Sequence, residues 1–161
     1  MVEPSSDMMV LCREKAAVAG VDVRCTFFEG YVDSVPEVAG FDAALCQFVS
    51  YFLLDPGERQ ALFSAIARRL RHGGLLVNAE LAADVSTPEY ATLRDAWVAM
   101  HRTAGIGMTP DYLGRDVVVS SAADIEDMLG RAGFSESTVF FKALLISAWR
   151  SRVWRGEQGD R

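Results

Sequence analysis

A carboxylate, Glu3, stands at the very start of the chain, where Val2-Glu3 reads as the tail of a strand and Pro4-Ser5-Ser6-Asp7 opens a helix. A carboxylate at a strand end is suited to a ribose diol, because its two oxygens can accept from both hydroxyls. The plain alternative for Glu3 is a solvated N-terminal acid. Ligands of open α/β sheets bind at the carboxyl ends of the strands. The other candidate positions are therefore Gly30, Tyr31 and Val32 after a second strand, 47–51 after a third, and 80–82 after a fourth. His101 could act as a general base, against the commoner reading of a helical histidine one turn from Trp97. Arg115-Asp116 reads as a local salt bridge. Cys12, Cys25 and Cys46 are odd in number and show neither CxxC nor Cys/His ligand spacing, so they are expected as buried thiols in a reducing cytoplasm rather than as nucleophiles or metal ligands.

The elements that must position these residues centre on FDAALCQFVSYFLLDPGERQALFSAIARRLRHGGLLVNAEL, residues 41–81. Residues 41–47 are apolar without alternation, the pattern of a strand covered on both faces of a parallel sheet. Asp55 can cap a helix whose first turn takes Pro56, with Glu58 three residues on where a capping-box acid belongs. Leu62, Phe63, Ile66, Ala67 and Leu70 form its apolar face. Arg68, Arg69 and Arg71 suit its negative end, and Gly73-Gly74 are expected to stop it. A second buried strand then covers 75–81. Strand, helix and strand make a βαβ unit, which belongs to an α/β fold.

Before this unit, the spacing predicts a helix over 7–19 with a stripe of Met8, Leu11, Cys12, Lys15 and Ala16, then a strand over 21–29. After it, helices are expected over 88–104 and 122–132, capped by Ser86 or Thr87 and by Ser121. An irregular stretch or short helix fills 111–119. Residues 137–152 should form a last strand pair with a bend near Lys142-Ala143, and Trp97, Trp149, Phe140 and Phe141 are read as core. One domain over 1–153 and a polar tail over 154–161 complete the expected organisation.

Composition narrows the classes. A formal charge of −6 argues against a broad phosphate-backbone surface, so no nucleic acid partner is expected. No apolar run approaches the roughly 20 residues that span a bilayer, and MVEPSSDMM lacks a basic region before an apolar core. A cytoplasmic protein without a membrane partner is the expectation.

The segments EPSSDM (3–8), FFEGYVDSVP, FDAALCQFVSYFL, ERQALFSAIARRLRHGGLLV and AGF at 132–134, in that order and spacing, resemble the class I S-adenosylmethionine-dependent methyltransferases over about residues 2–150. The resemblance implies a Rossmann-like sheet, mostly parallel with an antiparallel last strand, and S-adenosylmethionine as cofactor. It implies that Glu3 binds the ribose hydroxyls and that Met8 packs on the adenine. Gly30, Tyr31 and Val32 match the loop that meets the adenine amine; Tyr31 replaces the family's usual acid there, which leaves a backbone contact. Gln47 and Phe48 match positions at the methionine end. His72 stands where the family usually has Pro. The family's first strand and glycine-rich loop have no counterpart. A fragment or truncated reading frame is the favoured explanation, beside a strand supplied by a partner chain or a closed-up, non-catalytic relative. An unpaired strand edge also favours a homodimer.

The resemblance implies methyl transfer to a small-molecule acceptor, with the insertion 84–119 as substrate lid. No catalytic residue is singled out, and no metal is expected. The competing expectations are a non-catalytic binding or regulatory module and an enzyme similar to the carboxy-S-adenosylmethionine synthases of tRNA modification. The latter group's extra arginine has only the displaced Arg115 as a match. A Rossmann dehydrogenase is disfavoured by the position of Gly73-Gly74.

Overall fold

The computed structural model describes residues 1–37 and 40–155. The chain divides into two compact units, Met1–Val38 and Ala39–Arg161.

The first unit is a small βα arrangement. Strand β1 (Val2–Glu3) pairs in parallel with β2 (Phe28–Glu29), placing Val2 opposite Phe28 and Glu3 opposite Glu29. Helix α1 (Ser6–Val18) lies between them in sequence, and its N-cap is Ser5, whose side chain accepts from the Met8 amide. The strand expected over 21–29 is shorter than its sequence pattern. Residues Asp22–Arg24 form a 3-10 turn, and only two residues join the ladder. Val2 and Glu3 offer no more partners than that. The expected stripe of α1 also needs correction: Met9 and Ala16 are its buried residues, while Met8 and Leu11 are about half exposed.

The second unit is a four-stranded sheet in the order β3 (Phe41–Gln47), β4 (Leu70–Leu81), β6 (Ile146–Val153), β5 (Phe134–Ala143). The β3–β4 pair is parallel, and β6 runs antiparallel to both β4 and β5. The expected antiparallel last strand is therefore present, and the chain turns back at Leu144 and Leu145, close to the expected bend. Helix α2 (Pro56–Arg69) begins as its sequence dictates: Asp55 is the N-cap, accepting from the Glu58 amide, and Pro56 stands in the first turn. It ends sooner than Gly73-Gly74 suggested. Leu70 is already extended and pairs with Phe41, and the ladder then jumps from Phe41↔Leu70 to Ala43↔Leu75. Gly73, at φ 71°, supplies the left-handed residue within that irregular stretch.

Strand β3 departs most from its sequence pattern. It was read as covered on both faces, yet only Cys46 is buried, and Leu45 is 72% exposed. The physical reason is its place at the sheet's edge, with β4 as its one partner in the ladder. The core lies instead around β4 and β6, where Leu76, Trp149, Phe63, Ile125 and Leu129 are fully buried. Burying each such side chain contributes roughly 1.5–3 kcal/mol. Helix α5 (Ala122–Arg131), capped by Ser121, covers this core and fixes the Trp149 indole through Glu126 Oε1 at 3.1 Å. Phe140 and Phe141, read as core, are 57% and 50% exposed because β5 is the opposite edge of the sheet.

Between β4 and α5 lies the insertion. It contains α3 (Pro88–Thr103) and a kinked helical turn, α4 (Tyr112–Arg115). Trp97, Leu113 and Val117 from the insertion pack with Leu81 and Leu145, and Tyr51, Tyr90, Met108 and Tyr112 join the rim of that cluster. Thr87 is the N-cap of α3, although its hydroxyl is turned back to the Asp84 carbonyl. The insertion closes on itself at the sheet. Ala82 and Ser120 form a parallel bridge, with the Ala83 amide donating to the Ser120 carbonyl at 3.0 Å.

Candidate active site

In the first unit, the expected site residues gather at the carboxyl end of the β1–β2 pair. The Gly30 amide donates to the Glu3 carbonyl at 3.0 Å, which sets the loop after β2 beside the end of β1. The Glu3 carboxylate is partly buried and accepts from the Ser5 amide through Oε1 at 2.9 Å. That bond fixes the carboxylate near the N-terminus of α1 through one oxygen. Met8 is half exposed in the first turn of the same helix. Gly30 has φ 139°, and a Cβ there would lie 2.9 Å from Ser34 Oγ, so the turn admits glycine for two reasons. Tyr31 is 68% exposed, and its carbonyl is occupied by the Ser34 amide and hydroxyl, at 3.1 and 2.6 Å. The Tyr31 carbonyl is thus engaged within the turn itself.

In the second unit, Gln47 ends β3 with its side chain exposed, and Phe48 follows in a left-handed conformation at φ 56°. The Phe48 amide is held by the Ala79 carbonyl at 2.9 Å, so the strained residue is pinned to β4. Its ring meets Tyr51 edge-on at 6.3 Å, and Tyr51 lies 4.5 Å from Phe52. Partial burial, with Tyr112 nearby, pushes the Tyr51 hydroxyl above its ordinary pKa.

Beneath this rim lies a polar cluster that the sequence did not single out as a unit. Glu80 is completely buried; its Oε2 pairs with the Arg59 guanidinium and its Oε1 accepts from Asn78 Nδ2 at 2.6 Å. Arg59, 3% exposed, also donates from Nη1 to Ser120 Oγ at 2.8 Å. Glu80 falls within the candidate strand end at 80–82, whereas no motif or spacing marks Arg59 and Asn78 as its partners. The available signal was an arginine four residues before Phe63 on the apolar stripe of α2, a place where an unpaired charge is not tolerated. Cys46 sits across the ladder from Asn78. Burial, reinforced by the negative charge of Glu80, pushes its thiol up to about 12.

The remaining candidates have structural partners. His101 donates from Nδ1 to the Trp97 carbonyl at 2.9 Å and packs on the Trp97 ring at 4.5 Å. Arg115 is clasped by Asp111 and Asp116, the local pairing its sequence implied. Of the cysteines, Cys46 is buried as expected, but Cys12 is only partly so and Cys25 is exposed. Cys25 follows the 3-10 turn instead of entering the expected strand. Among the described residues no His, Cys, Asp and Glu cluster could hold a metal ion, and no helix is long and apolar enough to cross a membrane. From 156 onward the polar tail lies outside the described residues; Trp154 packs on His72, and Arg155 donates to the Arg68 and Leu70 carbonyls at 3.1 and 2.9 Å.

Residues 1–74 match the family model described as a methyltransferase domain. The S-adenosylmethionine-dependent methyltransferase SibL, solved in its apo form, superposes with a TM-score of 0.71 at 18% identity, over 96% of this chain and 43% of that one. The chain has the class I methyltransferase fold. PigF, solved with SAH, gives a TM-score of 0.63 at 19% identity, covering 96% of this chain and 43% of its own. An O-methyltransferase family 2 protein from Planctomyces limnophilus, in complex with apigenin, gives 0.66 at 15% identity, covering 94% and 41%. The chain spans less than half the length of these solved structures. A comparison with curated proteins gives no match.

Proposed function

We propose that this chain forms the cofactor-binding and acceptor-facing part of an S-adenosylmethionine-dependent methyltransferase acting on a small molecule. The observation that carries this reading is the Glu3 carboxylate, held at the carboxyl end of β1 through one oxygen and flanked by the Gly30 turn. A carboxylate so placed can accept from a vicinal diol, and the half-exposed Met8 offers an apolar surface beside it. These residues fit the ribose and adenine of the cofactor. Gln47 and Phe48 are assigned to its methionine end. S-adenosylmethionine would supply an electrophilic methyl group on a sulfonium. The chain's part is then to position the acceptor in line and keep water away, and the aromatic rim of Phe48, Tyr51 and Phe52 suits that task.

Arg115 argues for ordinary methyl transfer over a carboxylated cofactor. Its guanidinium is clasped by two aspartates, so its charge is already balanced. The exposed edge of β3, with Leu45 72% exposed, favours self-association within the same reading.

Isothermal titration of S-adenosylhomocysteine into the 161-residue chain tests the proposal. Micromolar or tighter binding is expected, and Glu3→Ala should abolish it. No detectable heat for the unaltered chain would overturn the cofactor assignment, and unchanged affinity in Glu3→Ala would overturn the role of Glu3.

A further inference from the structure

We propose that Arg59 is a positioning residue for the acceptor side: its buried guanidinium locks the returning end of the insertion onto the carboxyl ends of β3 and β4. The inference rests on the methyltransferase reading only for calling that side the acceptor side.

The geometry is specific. Arg59 extends from the start of α2, and one terminal nitrogen takes Glu80 of β4 while the other takes Ser120 Oγ at 2.8 Å. Glu80 is held in turn by Asn78, so the carboxylate cannot rotate to a second partner without losing a bond. Ser120 is the residue at which the insertion rejoins the sheet: its carbonyl takes the Ala83 amide, and its backbone forms the bridge to Ala82. Two residues earlier, the Val118 amide donates to the Tyr51 carbonyl at 2.8 Å. Holding Ser120 therefore also holds Val118, and through it the turn that carries Tyr51 and Phe52. Val117, next to the second of these anchors, is fully buried in the cluster with Trp97 and Leu113.

Stability alone does not account for this choice of residues. Two charges taken from water carry a desolvation penalty that their attraction repays only in excellent geometry, and apolar residues of similar volume often serve as well. A planar guanidinium adds what apolar residues lack, namely directed bonds to two elements at once. Here those elements are the end of β4 and the root of the insertion.

Hydrogen–deuterium exchange of the full chain, resolved by peptide, tests the proposal in two variants. Ser120→Ala removes one bond to Arg59 and keeps the ion pair. It should speed exchange of 112–120 by about tenfold, the scale of one lost hydrogen bond to a charged group, while α2 and β4 keep their protection. Ser120→Thr, which retains the hydroxyl, should restore the slow exchange. The double variant Arg59→Met with Glu80→Leu removes the charges together and should loosen 112–120 in the same way. Unaltered exchange of 112–120 in both Ser120→Ala and the double variant would overturn the proposal. So would equal loss of protection across α2, β4 and 112–120, which would mark Arg59 as a general stabiliser. S-adenosylhomocysteine binding reports separately: its failure in the unaltered chain would sink the cofactor reading while leaving the exchange result to judge Arg59.

Discussion

Phe48 offers a direct test of whether the end of β3 is held under strain. At φ 56° a residue with a Cβ pays about 1–2 kcal/mol relative to the right-handed regions. Glycine escapes that cost but loses about 0.5–1 kcal/mol more chain entropy than alanine on folding. Phe48→Ala and Phe48→Gly both remove the ring, so they forfeit the same contact with Tyr51, and their difference isolates the backbone. At an ordinary strand end alanine would be the more stable of the two. Here Phe48→Gly should exceed Phe48→Ala by roughly 0.5–1 kcal/mol, the strain less the entropy. With a urea dependence of about 2 kcal/mol per molar, the midpoints should differ by ~0.25–0.5 M. Intrinsic fluorescence is the suitable probe, because Trp97, Trp149 and Trp154, all the tryptophans of the chain, lie in the second unit with Phe48. Should Phe48→Ala prove equal to or more stable than Phe48→Gly, the left-handed conformation and the Ala79 tether that enforces it would both be refuted.

Two further outcomes follow from the site and its flank. Cys46 should resist iodoacetamide at pH 8 while the exposed Cys25 reacts, since Cys46 is buried and a thiol near 12 carries a thiolate fraction of about 10⁻⁴. Because the folded pKa is raised, this thiol favours the native state below the ordinary cysteine value, and that contribution fades as pH climbs toward about 12; labelling of Cys46 as fast as Cys25 would contradict its burial. Arg155→Ala should lower the melting temperature by about 2–4 °C, the effect of ~1 kcal/mol in a chain of this size, by freeing the carbonyls at the end of α2. An unchanged melting temperature would show that the guanidinium contributes nothing there.

Local chemistry was the most legible part of the sequence. The caps at Asp55 and Ser121 were readable because each serves a helix whose first turn follows within three residues. The β5–β6 hairpin was readable from two β-rich halves. Burial was less legible where a strand's neighbours decide it. The apolar run of β3 says that the strand can be covered, whereas its edge position leaves most of it exposed. The expected strand over 21–29 failed for a similar reason: ladder length is set by the shorter partner, and β1 has two residues. Within the site, Glu3 and Gly30 could be placed because adjacent parallel strands bring their ends together. The Arg59–Glu80–Ser120 cluster could not, since its members lie 21 and 61 residues from Arg59 and only the folded chain makes them neighbours.

The bridge between Ala82 and Ser120 makes the intervening segment a closed excursion from the sheet. Its two roots are stitched together, so its exposed loops can change in length at modest entropic cost without altering the distance the sheet must span. Trp97, Leu113 and Val117 are the part of the segment tied to Leu81 and Leu145, and its exposed remainder is where the chain can change without disturbing the strands.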